Sequence, residues 1–338
     1  MKHLLGRGYT PQMAGSGKAA PRVLIVGWGF LGASIGSTLL AEGVNVTGLT
    51  RSRTWRTEAG NADGARMVVA DARAPGVIED AMRDVDHVVF AAGGLTPPSA
   101  EANPLEAATG MLLPLLAVLE ALRHRPHVSL TYISSGGAVY GDPVRLPVSE
   151  SDATRPISPY GASHLAAEGY AQMYARRSGA TLHVVRCANV YGPNQAHDKD
   201  QGAVAIFLDR ISREMPIRVF GDGSALRDYV FVADVANVVA RIVLEGVDVG
   251  VVNLGSGRGL TVLEIVRAIS DAAGRPAHID WAPQRDFDVR GVILDVTRLR
   301  SFMHYEPTDF ARGLALTADA YSQALRGRAT AQSEILTS

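Results

Sequence analysis

The sequence predicts an α/β fold, in which a doubly wound parallel sheet is followed by a smaller C-terminal α/β lobe. Short apolar strand patterns alternate with helical patterns up to residue 186, and this alternation builds a parallel sheet with helices on both faces. A glycine-rich turn, Gly27 to Gly32, stands directly between the first strand and the first helix. Beyond residue 186, glycine and proline punctuate the chain and the predicted elements shorten, which indicates the second lobe.

The first strand pattern, Arg22 to Val26, runs straight into that turn, and a helical pattern follows from Ala33 to Leu40. The first two glycines let the backbone turn and approach a pyrophosphate, and the third permits close packing of the helix. The helix N-terminus also offers N–H groups to an anion. The turn therefore predicts a dinucleotide site, with contacts from Gly27, Gly29, Phe30, Leu31 and Gly32.

The second strand, Val44 to Leu49, ends without the carboxylate that an NAD-selective site usually places near the ribose hydroxyls. Thr50 stands there, and Arg51 and Arg53 follow it. Either arginine can pair with a 2′-phosphate, so the sequence favours NADP over NAD. The alternative is that both arginines are solvated surface charges.

Two further strands, Val68 to Ala72 and His87 to Gly94, end in residues suited to the same cofactor. Asp71 can reach an adenine, and the small residues after the fourth strand let the backbone lie against a flat ligand. The contacts predicted here are Asp71, Ala72, Ala91, Ala92 and Gly93.

The helical pattern from Pro104 to Leu122 is apolar over most of its circumference and is interrupted by Pro114. Packing on the sheet explains one apolar side, and a subunit interface is expected on another. Apolar runs such as Met111 to Leu119 are too short to span a bilayer, and residues 1–20 lack a signal-peptide core. We therefore expect a cytoplasmic protein with no membrane contact.

The fifth strand, Val128 to Ile133, leads into Ser134 and Ser135, whose hydroxyls lie at the edge of the sheet where such folds bind ligands. The following helical pattern carries Tyr160 and His164 four residues apart, on one face. A phenol acts as a base near neutral pH only beside a positive charge, and His164 stands where that charge would come from. The alternative is a half-buried tyrosine with an incidental histidine.

Composition limits the classes of partner. The net charge of the 338 residues is −1, so bulk binding of nucleic acid or anionic membrane is not expected. The single Cys187 excludes an internal disulfide framework, and no metal-binding cluster is readable. We expect a loose extension over 1–20, a dinucleotide-binding domain over 21–186, a substrate lobe interleaved with sheet elements over 187–330, and a tail over 331–338.

Taken in order, the motifs of both halves resemble those of the extended short-chain dehydrogenase/reductase family, in its nucleotide-sugar epimerase/dehydratase branch, over about residues 22–325. The matching segments are Gly27–Gly32, Ser134-Ser135 with Val139-Tyr140-Gly141, Tyr160-Gly161-Ala162-Ser163, Arg186, Asn189 with Tyr191-Gly192-Pro193, Arg227-Asp228-Tyr229, Asp234, Asn253–Gly257, and Arg285 with Asp288-Val289. The resemblance implies a Rossmann domain with a small C-terminal lobe, NAD(P) as cofactor, a nucleoside-diphosphate sugar as substrate, and a homodimer.

The resemblance also implies roles for individual residues. Tyr160 would be the catalytic acid/base, and Ser135 or Ser134 would hydrogen-bond the reacting oxygen. The residues expected to hold the substrate diphosphate are Asn189, Arg227 and Arg285.

Three positions depart from the family pattern. His164 replaces the lysine that holds the nicotinamide ribose and lowers the tyrosine pKa, Gly136 replaces a hydroxyl residue, and Met111 falls where a helix asparagine is common. Because a histidine is mostly neutral at pH 7, activation of Tyr160 is expected to be weaker than in the family.

Three functions follow from this pattern. The first is an NAD(P)-dependent epimerase, since Gly137-Ala138 replaces the Asp-Glu pair that a 4,6-dehydratase requires. The second is a keto-sugar reductase that uses Tyr160 as proton donor and suits NADP. The third is a catalytically weakened protein that binds cofactor or nucleotide sugar, which His164 and Gly136 together suggest.

Overall fold

The computed structural model describes residues 20–52, 64–198 and 200–336, with only the backbone described over 327–336. The strands are β1 (Arg22–Val26), β2 (Asn45–Thr50), β3 (Arg66–Val69), β4 (His87–Phe90), β5 (Ser129–Ser135), β6 (Leu182–Cys187), β7 (Asn189–Tyr191), β8 (Ile217–Phe220), β9 (Leu226–Phe231), β10 (Val251–Leu254), β11 (Gly259–Thr261), β12 (Ile279–Ala282) and β13 (Gly291–Val292). The helices are α1 (Phe30–Ala41), α2 (Val77–Ala81), α3 (Pro97–Ala102), α4 (Pro104–Leu122), α5 (Gly136–Val139), α6 (Pro159–Ser178), α7 (Ala203–Ser212), α8 (Val232–Glu245), α9 (Val262–Ala273), α10 (Thr297–Phe302) and α11 (Phe310–Leu336).

Seven parallel strands form the main sheet, in the order β10-β6-β5-β4-β1-β2-β3. Strand β1 lies between β2 and β4, so the chain moves to one side of β1 and then returns to the other. This reversal opens a crevice at the carboxyl ends of β1 and β4, where doubly wound sheets bind ligands. The predicted α/β fold with a doubly wound parallel sheet is confirmed.

Six strand patterns precede residue 186, and further sheet elements are expected after it. One of these is β10, which pairs in parallel with β6. The segment 187–330 thus supplies a strand to the main sheet as well as forming the second lobe. Strand β3 also ends at Val69, earlier than predicted, so Asp71 and Ala72 belong to the loop that follows it.

The two faces of the main sheet carry separate apolar cores. Along β1, Val23 and Ile25 point toward the side covered by α1 and α8, while Leu24 and Val26 point toward the side covered by α4 and α6. All four side chains are buried. An apolar residue at every position is expected of a parallel strand with helices on both faces.

Trp28, the second residue of the glycine-rich turn, is buried between α1 and β2. A Cβ at Gly36 or Gly48 would collide with its indole ring, so these two glycines leave the space that the ring fills. The turn is thereby anchored to the helix and the strand that follow it.

Helix α4 is continuous through Pro114, so the interruption that this proline predicts does not occur. By length and composition alone, α4 is the one helix among the described residues that could cross a membrane. However, it packs against α6, and Met111, Leu115 and Val118 are buried in the core between α4 and the sheet. We therefore read α4 as a core helix of the first domain.

The second lobe is built around β9, which pairs with β7, β11 and β13. The buried Asp228 of β9 accepts hydrogen bonds from the backbone N–H groups of Ser256, Gly257 and Leu294 and from the Ser256 hydroxyl. Burial raises the pKa of Asp228, and these hydrogen bonds offset part of that rise. One carboxylate therefore ties β9 to the loop after β10 and to the segment after β13.

A buried polar network joins α6 to the carboxyl ends of β5 and β6. The Glu168 carboxylate accepts hydrogen bonds from Arg186 Nε at 3.0 Å, from Arg186 Nη2 at 2.7 Å and from the Ser134 hydroxyl at 2.5 Å. Arg186 Nη1 also donates to the Tyr140 hydroxyl at 2.9 Å, and Tyr140 donates to Asn253 on β10 at 2.7 Å. All five side chains are buried.

This network fixes the position of α6 on the sheet. Burial alone would lower the pKa of Arg186, but its hydrogen bonds to Glu168 and the charge of that carboxylate raise it, so the guanidinium stays charged. A buried ion pair adds little net stability, whereas removal of one partner leaves a costly unpaired charge. Tyr160 lies about two helical turns before Glu168, so the ion pair also determines where Tyr160 stands.

We expect Glu168→Ala to lower the free energy of unfolding by about 3 to 5 kcal/mol, because Arg186 would remain buried without a counter-charge. Urea denaturation followed by circular dichroism measures this change. The matched control is Glu120→Ala, which removes an exposed partner of Arg123 and should cost less than about 1 kcal/mol.

A double variant, Glu168→Leu with Arg186→Met, should recover part of the lost stability, since no charge is then buried alone. Equal losses in Glu168→Ala and Glu120→Ala would contradict the structural role of the buried pair.

Candidate active site

Tyr160 stands in the first turn of α6, near the carboxyl end of β5. Ser158 caps the helix by accepting a hydrogen bond from the Gly161 N–H at 3.1 Å, and Pro159 occupies the first helical position. A Cβ at Gly161 would collide with the main chain of Ala138, so the start of α6 lies directly against α5. The cap and this close contact hold the tyrosine at the end of the strand.

The side chains of Ser135 and Gln201 lie close enough to the Tyr160 hydroxyl for each of them to lower its pKa. The structure thus brings Tyr160 and Ser135 together, as the sequence analysis expects. Burial raises the pKa of Tyr160, and these two side chains offset only part of that rise. The phenol is therefore protonated at neutral pH.

His164 lies one turn further along α6 and packs edge to face against the Tyr160 ring, with 4.7 Å between the ring centroids. Its Nδ1 lies 2.8 Å from the Tyr132 hydroxyl, whereas its Nε2 is buried and has no hydrogen-bond partner. Burial lowers the pKa of His164 to about 4, so the imidazole is neutral at pH 7. Among the described residues, no positively charged side chain is one of the groups that mainly shift the pKa of Tyr160.

Gly136 and Ser134 explain why Ser135 supplies the hydroxyl of this site. A Cβ at Gly136 would lie 2.7 Å from a methyl carbon of Leu294 and 2.9 Å from the Arg186 carbonyl oxygen, so no side chain fits there. Ser134 donates its hydroxyl to Glu168 instead of reaching Tyr160, and its assignment as a catalytic candidate is corrected to a structural one. The same buried network engages Arg186 through its Nε and Nη2 atoms.

A cleft of about 1190 Å³ opens in front of Tyr160. The predicted substrate residues Asn189, Arg227 and Arg285 all line it, so the structure brings them into one site with the tyrosine. Gln201 lines the same cleft close to Tyr160.

The polar side chains of this cleft are held in place by their neighbours. Arg285 lies over the Phe220 ring, with its guanidinium carbon 3.9 Å from the ring centroid, and pairs with Asp288 at 2.7 Å. Burial lowers the pKa of Arg227, which remains a cation at neutral pH. The Asn189 amide donates to a main-chain carbonyl of β9 at 3.0 Å. Two fixed guanidinium groups in a partly dehydrated cleft suit an anion such as a diphosphate.

The glycine-rich turn forms a cradle for a dinucleotide. Gly27 has a φ of +100°, and a Cβ there would collide with the backbone of Ala92. A Cβ at Gly32 would collide with the Gly27 carbonyl oxygen, whereas the space around Gly29 is open. Because Gly29 is the N-cap of α1, the unpaired N–H groups of the helix end lie beside that open space. The residues present therefore fit a dinucleotide cofactor.

The other predicted cofactor residues lie around the same crevice. Phe30 and Leu31 form the first turn of α1, and Ala91, Ala92 and Gly93 directly follow β4.

At the other end of the crevice, Thr50 is buried and Arg51 is exposed. Asp71 is engaged by Arg73 at 2.6 Å, and this pairing, with a smaller effect from Arg51, lowers the pKa of Asp71 to about 2. Asp71, predicted to reach the adenine, is thus paired with Arg73 in this structure. Arg53 lies outside the described residues.

Tyr132, Glu168 and Gln201 belong to the site but are not among its predicted residues. Strand alternation places Tyr132 on the same face of β5 as Ser134, and Glu168 follows His164 by four residues on α6, so periodicity alone brings these groups together. Gln201 comes from the segment before α7, and no local pattern indicates that it approaches Tyr160.

A contact beside Gln201 ties that segment to the first domain. Asp200 accepts hydrogen bonds from the hydroxyls of Thr96 at 2.6 Å and Ser99 at 3.0 Å.

In the described ranges, no group of three or more His, Cys, Asp or Glu side chains is placed to hold a metal ion.

Known proteins with similar sequences point to one family. The model of the NAD dependent epimerase/dehydratase family matches residues 23–255. The UDP-glucose 4-epimerase of Mycolicibacterium smegmatis is 32% identical over 309 residues, which cover 89% of this chain and 98% of that protein.

Two solved structures are similar over nearly the whole chain. The UDP-glucose 4-epimerase of Thermotoga maritima, determined with UDP-glucose, has a TM-score of 0.85 at 30% identity and covers 90% of this chain and 99% of its own. The UDP-glucose 4-epimerase of Thermus thermophilus, in complex with NAD, has a TM-score of 0.82 at 32% identity, with coverage of 89% and 99%. The protein therefore belongs to the NAD-dependent epimerase/dehydratase family, within the extended short-chain dehydrogenases/reductases, and is an enzyme of that class.

Proposed function

We propose that this protein is an NAD(P)-dependent nucleotide-sugar epimerase that acts through a transient keto-sugar, with Tyr160 as acid/base. One observation carries this proposal: Tyr160, with Ser135 close to its hydroxyl, lines the cleft that also holds Arg227 and Arg285. The similarity to UDP-glucose 4-epimerases supports a nucleotide sugar as the substrate. A cytoplasmic location suits the free thiol of Cys187.

In this proposal Tyr160 takes the proton of a ring hydroxyl while the hydrogen on the same carbon leaves as hydride. A bound nicotinamide supplies the hydride acceptor and donor. Ser135 hydrogen-bonds the reacting oxygen while it is a carbonyl, and Tyr160 returns the proton to that oxygen at the end. Arg227 and Arg285 hold the diphosphate throughout, so the sugar can turn while the nucleotide stays fixed.

The cleft suits an epimerase because its keto-sugar must present the opposite face before the hydride returns. Gly137 and Ala138 line the cleft, and their small size leaves space for this turn. They also provide no carboxylate for elimination of water, so a dehydratase is not proposed.

A keto-sugar reductase is the second candidate, and one observation favours it. Burial keeps Tyr160 protonated and His164 neutral, so the phenol is better prepared to give a proton to a carbonyl than to take one from an alcohol. As a base, Tyr160 would gain activity as the pH rises toward its pKa. As an acid, it would lose activity over the same range.

We expect Tyr160→Phe to lower kcat by at least about 100-fold, because the proton then has no acceptor or donor at the reacting oxygen. The measurement is chromatography of nucleotide-sugar products together with the absorbance of reduced nicotinamide. Tyr174→Phe, which removes another hydroxyl from α6, is the matched control and should keep normal turnover. Normal turnover in Tyr160→Phe would contradict its role.

The same assay separates the candidate functions. Isomer formation without net cofactor consumption supports the epimerase, whereas oxidation of one NADPH per product supports the reductase. Tight binding of cofactor and nucleotide sugars without turnover would instead support a catalytically weakened binding protein.

We also propose that NADP binds more tightly than NAD, because Thr50 provides no carboxylate to repel a 2′-phosphate and the exposed Arg51 can pair with it. Arg51→Ala should then reduce the preference for NADP by about fivefold or more, as measured by calorimetry with both cofactors. Arg66→Ala, at the opposite end of the neighbouring strand, is the control. An unchanged ratio of the two dissociation constants would show Arg51 to be only a surface charge.

The expected homodimer is proposed to form through the outer faces of α4 and α6. These two helices pack side by side, and their exposed residues include Leu105, Leu113 and Tyr170. Leu113→Glu should convert the dimer to a monomer in analytical ultracentrifugation, because it would bury a charge at the interface. Val144→Glu, in an exposed loop, should leave the dimer intact. A monomeric wild-type protein would contradict this arrangement.

A further inference from the structure

Two carboxylates that line the cleft join the first domain to the second lobe. Asp142, which follows α5, accepts a hydrogen bond from the main-chain N–H of Arg290, whose carbonyl is in turn bonded to the first residue of β9. Asp200, which precedes α7, instead accepts from two side-chain hydroxyls, those of Thr96 and Ser99. Of the two links, the one at Asp200 can therefore open without freeing a main-chain group.

The link at Asp200 is strong enough to form and exposed enough to open. Partial loss of water raises the pKa of Asp200, but the hydrogen bonds from Thr96 and Ser99, with smaller effects from its own backbone and Arg285, lower it overall. The carboxylate is thus charged at neutral pH, and hydrogen bonds to a charged group are stronger than neutral ones. Because Asp200 is exposed, water competes for the same carboxylate, so closing the link gains little free energy.

A glycine beside Asp200 gives this link a hinge. Gly202 stands two residues further along the chain with a φ of +102°, a left-handed conformation that glycine adopts without strain. Helix α7 begins directly after it, and Val204 and Phe207 anchor that helix in the core of the second lobe. Rotation about Gly202 therefore moves Asp200 and Gln201 while the helix stays in place.

We propose that Asp200, Thr96 and Ser99 form a latch, which opens to admit the nucleotide sugar and closes over it during the reaction. This inference rests on the proposed function. An epimerase must return the hydride to the same keto-sugar, so early escape of that sugar would leave the cofactor reduced. A closed latch prevents this escape.

The residues beside the latch form a wall at the reacting end of the cleft. Pro97 and Pro98, which lie between the two hydroxyl residues of the latch, line the cleft. Gln201, next to the carboxylate of the latch, lines it close to Tyr160. Closing the latch thus brings the two sides of this wall together beside the tyrosine.

Binding kinetics in surface plasmon resonance test the gate, with UDP-glucose and dTDP-glucose as probes. In Asp200→Ala, the association and dissociation rate constants should each rise by about fivefold, because entry and exit no longer wait for the hydrogen bonds to break. Their ratio, the dissociation constant, should change by less than about twofold, since the latch holds the wall and not the substrate. Ser99→Ala, which keeps the bond to Thr96, should raise both rate constants by less. Asp198→Ala removes an exposed carboxylate from the same segment and should leave both unchanged.

The absorbance of reduced nicotinamide tests whether the latch retains the keto-sugar. During turnover of the tighter-binding probe, the wild type should return each hydride and stay active. Asp200→Ala should accumulate enzyme with reduced cofactor and release an equal amount of keto-sugar, at least about fivefold faster than the wild type.

The outcomes separate the latch from the proposed function. Unchanged rate constants in Asp200→Ala would make the link a static contact, and a weaker dissociation constant with an unchanged association rate constant would make Asp200 a substrate ligand. Either result, or equal retention of keto-sugar in Asp200→Ala and the wild type, overturns the latch and leaves the epimerase intact. Consumption of one NADPH per product in the wild type would contradict the epimerase, and the rate constants would still decide on the latch. If the wild type binds neither probe, the proposed substrate class is wrong, and the latch with it.

Discussion

The ion pair between Glu168 and Arg186 is the contact on which the rest of the site depends. It lies under α6 and joins that helix to β6, while Ser134 on β5 and Tyr140 beside α5 complete its hydrogen bonds. Because a buried charge tolerates little displacement from its partner, α6 has one position on the sheet. This position of α6 also fixes where Tyr160 and His164 lie, because both are on its first two turns. The network also engages Ser134, so Ser135 becomes the hydroxyl available to Tyr160.

A neutral histidine distinguishes this site from the family pattern. In the family pattern one lysine both holds the ribose and supplies positive charge to the tyrosine. Here burial keeps His164 neutral, so the histidine supplies no positive charge to Tyr160. Among the arginines that line the cleft, Arg227 and Arg285 are the two that we propose for the substrate anion. The site therefore has well-defined binding groups and a tyrosine that keeps its proton at neutral pH.

Local patterns predicted the parts of the molecule that depend on local geometry. The alternation of strands and helices gave the main sheet, the glycine spacing gave the cofactor turn, and the order of motifs gave the residues of the cleft. Contacts between distant segments escaped prediction. The sequence does not distinguish the neighbouring Ser134 and Ser135 at the end of β5. The structure does, because the Ser134 hydroxyl donates to Glu168. Asp71 is paired with Arg73. Gln201 lies close to Tyr160, although 41 residues separate the two in the sequence.

The ionisation of Tyr160 tests this account most directly. Carbon NMR of the enzyme labelled at tyrosine Cζ, with Tyr160→Phe to assign the signal, reports the protonation state of this one phenol. We predict that Tyr160 stays protonated through neutral pH and titrates above the range of an exposed tyrosine, because burial raises its pKa and His164 carries no charge. A titration centred near neutral pH would show that a positive charge reaches the phenol, and would contradict the account of a neutral site.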